Sequence, residues 1–311
     1  QAAAKRFGVA PSAVQIANGE ASAGEQRARF GELAADAATL KVPDPKSLTL
    51  KSRADWKLIG QPTRRIDTPE KISGRAQFGM DVQFEGLLTA LVARAPVFGG
   101  TVKSVDDAAA RAIPGVRHVV QIPSGVAVVA DHYWAAKRGR DALAIDWDTG
   151  SHAALDSDAL LQQFRELATQ DGPIAAEAGA LDAALASAAT TVEAEYLVPY
   201  LAHAPMEPLN CTVRLDADSC ELWTGTQFQQ NEQRLAAEVA GLKPEQVKVH
   251  TTFLGGGFGR RATLNADWVT EAVHVAKAVS APVKTVWTRE DDVRGGYYRP
   301  AYLQHCRVGL D

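Results

Sequence analysis

The sequence has little cysteine, and none of it is spaced for a metal. Cys211, Cys220 and Cys306 stand apart with no C-x-x-C, so neither a cysteine zinc site nor an iron–sulfur cluster is encoded in these residues. Cys211 and Cys220 read as buried free thiols rather than a bridge. No run approaches the ~20 consecutive apolar residues that would cross a bilayer, which excludes a membrane-spanning helix. Surplus positive charge is missing as well: 33 Lys and Arg face 37 Asp and Glu, for a net charge of −4. That balance argues against a nucleic-acid binder, which must neutralise phosphates over a broad face, and favours a small-molecule partner. The histidines form no H-x-x-x-H pair and no G-x-S-x-G elbow occurs, so zinc and serine hydrolase readings lose support. The start, Gln1-Ala2-Ala3-Ala4-Lys5-Arg6-Phe7-Gly8, has neither an initiator Met nor a basic-then-apolar signal; it reads as mid-helix, and a piece of a longer chain is expected.

What is present is the mixture of a folded globular chain, 46% hydrophobic and 23% charged over 311 residues, enough for two ordinary domains. The first residues read as a helix end stopped at Gly8, then a short strand at 14–16, a hairpin-type turn at Asn18-Gly19 and a helix over 30–40. Prolines 43, 45, 62 and 69 then punctuate an extended basic segment that reads as connection. Residues 56–150 read as one unit of mixed strands and helices. Strands are expected at 77–82, 87–95, 116–122, 126–130 and 145–148, Ser104 to Asp107 offers a helix cap, and Asp131 caps a helix over 132–143. Residues 151–189 are Ala-rich and read as helical connection with a break at Gly172-Pro173. From 190 onward strands and helices alternate: strands at 192–200, 212–215, 221–226, 247–253, 283–287 and 303–308, helices at 231–241 and 266–279. That alternation suggests a layered α/β arrangement. The expected organisation is therefore 1–55 as an N-terminal segment, 56–150 as one domain, 151–189 as connection and 190–311 as a further, unfinished domain.

Four short stretches could carry chemistry. Leu254-Gly255-Gly256-Gly257-Phe258-Gly259-Arg260-Arg261 lies between a strand and a helix. Its glycines let a ligand approach the backbone, successive N–H groups make an anion-binding nest, and Arg260 and Arg261 add positive charge. Tight packing would require glycine too, so this stretch alone leaves both readings open. It lacks the Lys-Ser/Thr of a nucleotide triphosphatase and the full G-x-G-x-x-G of a nicotinamide site. In Trp223-Thr224-Gly225-Thr226-Gln227, the amide of Gln227 ends a strand and can face a ligand without adding charge, or simply hold a turn. In Pro199-Tyr200-Leu201-Ala202-His203-Ala204-Pro205-Met206-Glu207-Pro208-Leu209-Asn210, His203 and Glu207 stand four apart, but Pro205 breaks the helix that would align them as metal ligands. Trp287-Thr288-Arg289-Glu290-Asp291-Asp292 reads as a strand end followed by a capping box from Thr288 to Asp291, with Arg289 able to pair locally.

Taken in order and spacing, Tyr200 to Pro208, Gln227, Gly255 to Arg261 and Trp287 to Asp291 resemble the xanthine oxidase family of molybdenum hydroxylases. The Gly-Gly-Gly-Phe-Gly-Arg-Arg form and Pro96-Val97-Phe98-Gly99-Gly100 resemble the large subunit of its isoquinoline 1-oxidoreductase branch and the aldehyde-oxidising relatives. The resemblance covers nearly the whole chain. It implies an α+β fold, an α/β hammerhead domain followed by the first part of a mixed α/β molybdopterin-binding domain. It further implies a molybdenum-pterin dinucleotide cofactor, with no protein side chain ligating the metal. Gln227 would donate to an oxo ligand, the backbone of Phe258 and Gly259 would face the metal centre, Gly255, Gly256 and Gly257 would line the cofactor, and Arg260 would lie near the pterin or its phosphate.

The implied reaction is hydroxylation of a carbon beside a ring nitrogen, or oxidation of an aldehyde, with water as oxygen source. The implied partners are an iron–sulfur small subunit and a cytochrome-type electron acceptor, and the implied location is the periplasm. Two departures qualify this. Purine-oxidising members continue with Lys and a substrate-contacting Glu where Arg261 and Ala262 stand here, which disfavours a purine. The family's general-base glutamate lies far downstream of the glycine loop, so residues 1–311 alone are expected to be inactive. The competing expectation is a non-catalytic scaffold that uses the loop for packing, or an anion-binding domain dependent on Arg260 and Arg261.

Overall fold

The computed structural model describes residues 1–311, which divide into two compact units, Gln1–Thr68 and Pro69–Asp311. In the first, helix α1 (Ala2–Phe7) ends at Gly8, whose φ of 67° closes the helix in the left-handed conformation that glycine adopts without penalty. Strands β1 (Gln15–Ala17), β2 (Glu20–Ala23) and β3 (Gln26–Arg29) form an antiparallel meander, and α2 (Phe30–Ala38) buries Leu33 against Ala2, Ala3, Ala21 and Ala28. The boundary expected after residue 55 falls at Thr68, because residues 41–67 build only isolated 3-10 turns.

The second unit opens with α3 (Thr68–Ile72), β4 (Leu88–Ala93), β5 (Thr101–Asp106), α4 (Ala108–Arg111), β6 (Val116–Ile122), β7 (Gly125–Ala130), α5 (Tyr133–Asp141) and β8 (Ala144–Asp148). Helices α6 (Ser157–Leu167) and α7 (Leu181–Ser187) lead to β9 (Thr190–Val198) and β10 (Leu201–Ala202). Then follow β11 (Asn210–Leu215), β12 (Cys220–Thr224), α8 (Gln229–Ala240), β13 (Val247–Thr251), α9 (Asp267–Val279) and β14 (Val283–Val286). The chain finishes with α10 (Arg289–Arg294), β15 (Tyr298–Arg299) and β16 (Tyr302–Leu310).

One seven-stranded mixed sheet, in the order β13-β12-β11-β14-β4-β7-β6, runs through this unit. It draws strands from both sides of the connection at 151–189, so the two segments expected as separate domains share a sheet. The joint is the parallel pair β14 and β4, with Val283 opposite Leu88. Alternation along β4 explains the layering: Ala90 and Val92 face Val275 of α9, while Leu91 faces Ala135 and Ala136 of α5. Helices α8 and α9 cover the β11–β14 half with a core that includes Leu209, Val213, Leu222, Ala237, Trp268 and Val273. Cys211 and Cys220 are free thiols within that core. Burial pushes the Cys220 thiol up to about 12 and the Cys211 thiol well above its usual range.

Three local expectations give way to specific polar competitors. The strand expected at 77–82 is one bridge, Phe78 to Phe253, and a 3-10 turn at Gly79–Asp81. Side chains replace a ladder there: Asp81 accepts from the Phe78 N–H at 3.0 Å, and Lys284 donates to the Met80 carbonyl at 2.7 Å. Ser104 and Val105, expected at a helix cap, belong to β5, because β8 supplies a full antiparallel partner. Asp131 does not cap α5. It is held by Arg117 at 2.6 and 2.9 Å, and the His132 ring accepts from Ala135 N instead.

Candidate functional site

Strand directions bring the four sequence stretches together. β12 and β13 are parallel, β11 runs against both β12 and β14, and β14 is parallel to β4. Strands β12, β13, β14 and β4 therefore all point the same way. Their C-terminal ends deliver Gly225 to Gln227, Leu254 to Arg261, Trp287 to Asp292 and Arg94 to Gly100 to one end of the sheet, and the stretch before Asn210 enters at that same end. The mouths of parallel strands are where open α/β sheets take their ligands.

The glycine loop is shaped around Gln227. A Cβ at Gly257 would lie 2.9 Å from Gln227 Cδ and closer still to Oε1, so only glycine leaves room for the amide. Gln227 Oε1 accepts from the Gly259 N–H at 3.2 Å, and the Gln227 N–H donates to the Arg261 carbonyl at 2.9 Å. The amide nitrogen has no acceptor in the protein and Gln227 is exposed, so this nitrogen is available as a neutral donor. Phe258 has φ 56°, a left-handed conformation unusual for an aromatic residue, and its side chain is 69% exposed. Such strain costs on the order of 1 to 3 kcal/mol and tends to mark functional loops. The N–H groups of Gly256, Gly257 and Phe258 meet no acceptor in the protein. Three backbone donors without a protein acceptor thus lie next to the Gln227 amide in one loop, an arrangement that fits an oxygen-rich, anionic group.

Glu207 and Arg261 hold this shape. Glu207 Oε2 accepts from Gly255 N at 2.9 Å, while Oε1 accepts from Met80 N at 3.1 Å and Asn210 Nδ2 at 3.0 Å. The Arg261 guanidinium, fully buried, donates to the carbonyls of Gly256 (2.9 Å), Gly225 (3.1 Å) and Glu207 (2.9 Å) and pairs with the Glu207 carboxylate at 3.3 Å. Arg261 thus clasps three loops at once. Burial pulls its pKa down, and Glu207 opposes that shift. Arg289 adds a fourth tie through the carbonyls of Pro205 and Met206 at 2.7 and 2.8 Å, as well as its local pair with Asp292.

Arg260 is buried too. Its two terminal nitrogens pair with Asp267 at 2.8 and 2.6 Å among the rings of Trp268, Trp287 and Tyr297. Neither arginine presents a free charge to solvent, which removes the feature on which the simple anion-binding alternative depended. His203 lies beside Gly259, and burial followed by the Arg260 charge lowers its pKa, so it is neutral at neutral pH. Thr288 caps α10 in a capping box with Asp291, as its spacing indicates.

Sequence weighed Glu207 only as a metal ligand and missed its part in holding the loop, as it missed Arg261 as a clasp, Asn210 and Glu232. The partners of Arg261 lie on loops remote in sequence, and Glu232 reads as an ordinary acidic residue in a first helical turn. It is in fact buried on α8 beside Thr226, and burial raises its carboxyl to about 7. A carboxyl whose pKa rises from 4.5 on folding contributes stability that is intact below pH 4.5 and lost as pH climbs to about 7. Glu232→Gln should flatten that fall. Across this window chemical denaturation should show the variant gaining on the wild type by up to roughly 3 kcal/mol, and a pH-independent difference would refute the assignment.

Residues 166–311 match the family model for the molybdopterin cofactor-binding domain. The chain is 36% identical to isoquinoline 1-oxidoreductase subunit beta of Brevundimonas diminuta over 276 residues, 86% of this chain and 35% of that one. It is 31% identical to a protein of Gluconacetobacter polyoxogenes named membrane-bound aldehyde dehydrogenase [pyrroloquinoline-quinone], over 99% of this chain and 42% of that one. The fold is similar to the crystal structure of quinoline 2-oxidoreductase from Pseudomonas putida 86, with a TM-score of 0.65 at 20% identity, covering 82% of this chain and 38% of that one. The chain therefore spans between about a third and two fifths of the length of these three proteins. The motifs, the fold and these likenesses agree: the chain belongs to the xanthine oxidase family of molybdenum hydroxylases, as part of a molybdenum-binding subunit.

Proposed function

We propose that this chain is the cofactor-cradling part of an oxidoreductase that hydroxylates N-heteroaromatic carbons or oxidises aldehydes with water as the oxygen source. The observation that carries the reading is the cradle: free N–H groups at Gly256, Gly257 and Phe258 around an amide that Gly259 fixes in place. When bound, a molybdenum-pterin dinucleotide supplies the two-electron redox chemistry. The chain's own residues supply position and field. Gln227 donates a neutral hydrogen bond toward an oxygen of the group without adding charge, and the loop N–H groups stabilise negative charge there. Glu207 and Arg261 fix the loop, and Arg260 acts from behind it by packing Asp267 and the start of α9. Because the guanidinium of Arg260 is already paired, its part is to position the loop rather than to meet a phosphate.

In this reading the part of 56–150 that lies beyond the boundary at Thr68, residues 69–150, corresponds to the α/β hammerhead domain. An iron–sulfur small subunit takes the electrons, a cytochrome-type acceptor follows it, and the enzyme works in the periplasm. No helix here is long and apolar enough to cross a membrane.

The test is metal, pterin and quinone analysis of the intact subunit from a molybdenum-replete bacterial host, with assays on isoquinoline and benzaldehyde. Near-stoichiometric molybdenum and pterin with turnover of either substrate is the expected result. Absence of molybdenum, or pyrroloquinoline quinone in its place, would refute the proposal.

A further inference from the structure

We infer that Glu232 is a positioning residue for Gln227: it anchors the Thr226 hydroxyl, which holds the Phe228 N–H, and so fixes the turn that aims the amide into the cradle. The cofactor end of this inference rests on the proposed function. The link from Glu232 to Gln227 stands on geometry alone.

Thr226 and Glu232 are both buried, at 3% and 1% exposure. The Thr226 hydroxyl donates to Glu232 Oε1, and its oxygen accepts from Phe228 N at 2.9 Å. Gln227 sits between those two residues, with its own N–H on the Arg261 carbonyl at 2.9 Å. The backbone is therefore pinned on both sides of the residue whose side chain receives the Gly259 N–H. Without an acceptor for its proton, the Thr226 hydroxyl is free to rotate away from Phe228. Glu232 Oε2 meets no hydrogen-bond partner, so this buried carboxyl makes one side-chain hydrogen bond, the one that leads to Gln227. Burying a carboxyl for packing alone would be costly, and an apolar residue would fill the space better.

The charged and titratable groups that face Glu232 are Arg261, from the end of the glycine loop, and Cys211, on β11. Burial raises Glu232 to about 7, so its ionisation opposes the buried state and the Gln227 turn is held less tightly above neutrality than below it.

Hydrogen exchange of the intact subunit tests this in peptides spanning 225–232 and 255–262, with protection corrected for intrinsic rate between pH 6 and 8. Thr226→Val and Glu232→Leu should each raise exchange in both peptides at least ~10-fold while β4 and β7 stay protected, and Thr226→Ser should restore the wild-type pattern. Glu232→Gln should keep the protection but lose its step near pH 7. Molybdenum content should fall in the Val and Leu variants and hold in the Ser variant. Unchanged exchange in 255–262 for a folded Glu232→Leu or Thr226→Val protein would overturn the inference. Wild-type protein without molybdenum, but with the exchange coupling intact, would support the link to Gln227 and refute the cofactor reading instead.

Discussion

Arg261→Ala should unfold the site end of the sheet at a temperature on the order of 10 °C below the wild type. The physical reason is the number of groups that one buried side chain satisfies. Three carbonyls on three loops and one carboxylate lose their donor together, and Glu207 is left as a buried charge with no cation beside it. Removing one partner of such a pair costs about 3–5 kcal/mol. Arg261→Lys should recover only a minor part, because a single ammonium cannot reach three carbonyls in the directions a planar guanidinium does. Calorimetry of the two variants checks both statements. A loss below about 2 °C for the alanine variant would show that water replaces the clasp and that the loops hold each other without it.

Gly257→Val should leave the fold intact while displacing Gln227. The added Cβ overlaps the Gln227 amide, a flexible side chain at the rim rather than core backbone. The expected stability change is therefore modest, about 1–3 kcal/mol as for overpacking elsewhere. The large effect is local: the Gly259 N–H loses the amide oxygen at 3.2 Å, and the free amide donor leaves the cradle. A crystal structure of the variant should show Gln227 in another rotamer and the 255–259 backbone shifted. An unmoved Gln227 would mean that the loop yields first and that the amide does not define its shape.

Much of this site was legible because its chemistry is local. Four glycines in five positions announce a loop that a ligand or another backbone approaches, and Thr288 with Asp291 announces a helix start that the structure contains. The runs around Val116 and Val126 read as buried strands because β-branched residues crowd them, and Gly241, with φ 83°, stops α8 where the helical pattern ends. What was not legible is pairing at a distance. Nothing in Leu88 to Ala90 names Val283 to Thr285 as its parallel neighbour, yet that pair joins the two segments into one sheet. Charge was misleading for the same reason. Arg260 and Arg261 look like surface cations in the sequence, and only the positions of Asp267 and Glu207 show that both are buried ties. Glu232 was silent because a buried carboxyl and a solvated one have the same letter.

Under the proposed function, the loop at 255–259 and the Gln227 amide together hold the molybdenum cofactor. The most direct measurement is the molybdenum and pterin content per chain of the intact wild-type subunit and of its folded Gly257→Val variant, purified side by side from the same molybdenum-replete host. The expected result is near-stoichiometric content in the wild type and less than about a tenth of that in the variant, with similar thermal transitions, as loss of donors to an anionic group implies. Equal molybdenum in the two proteins would contradict the account and place the cofactor away from this cradle.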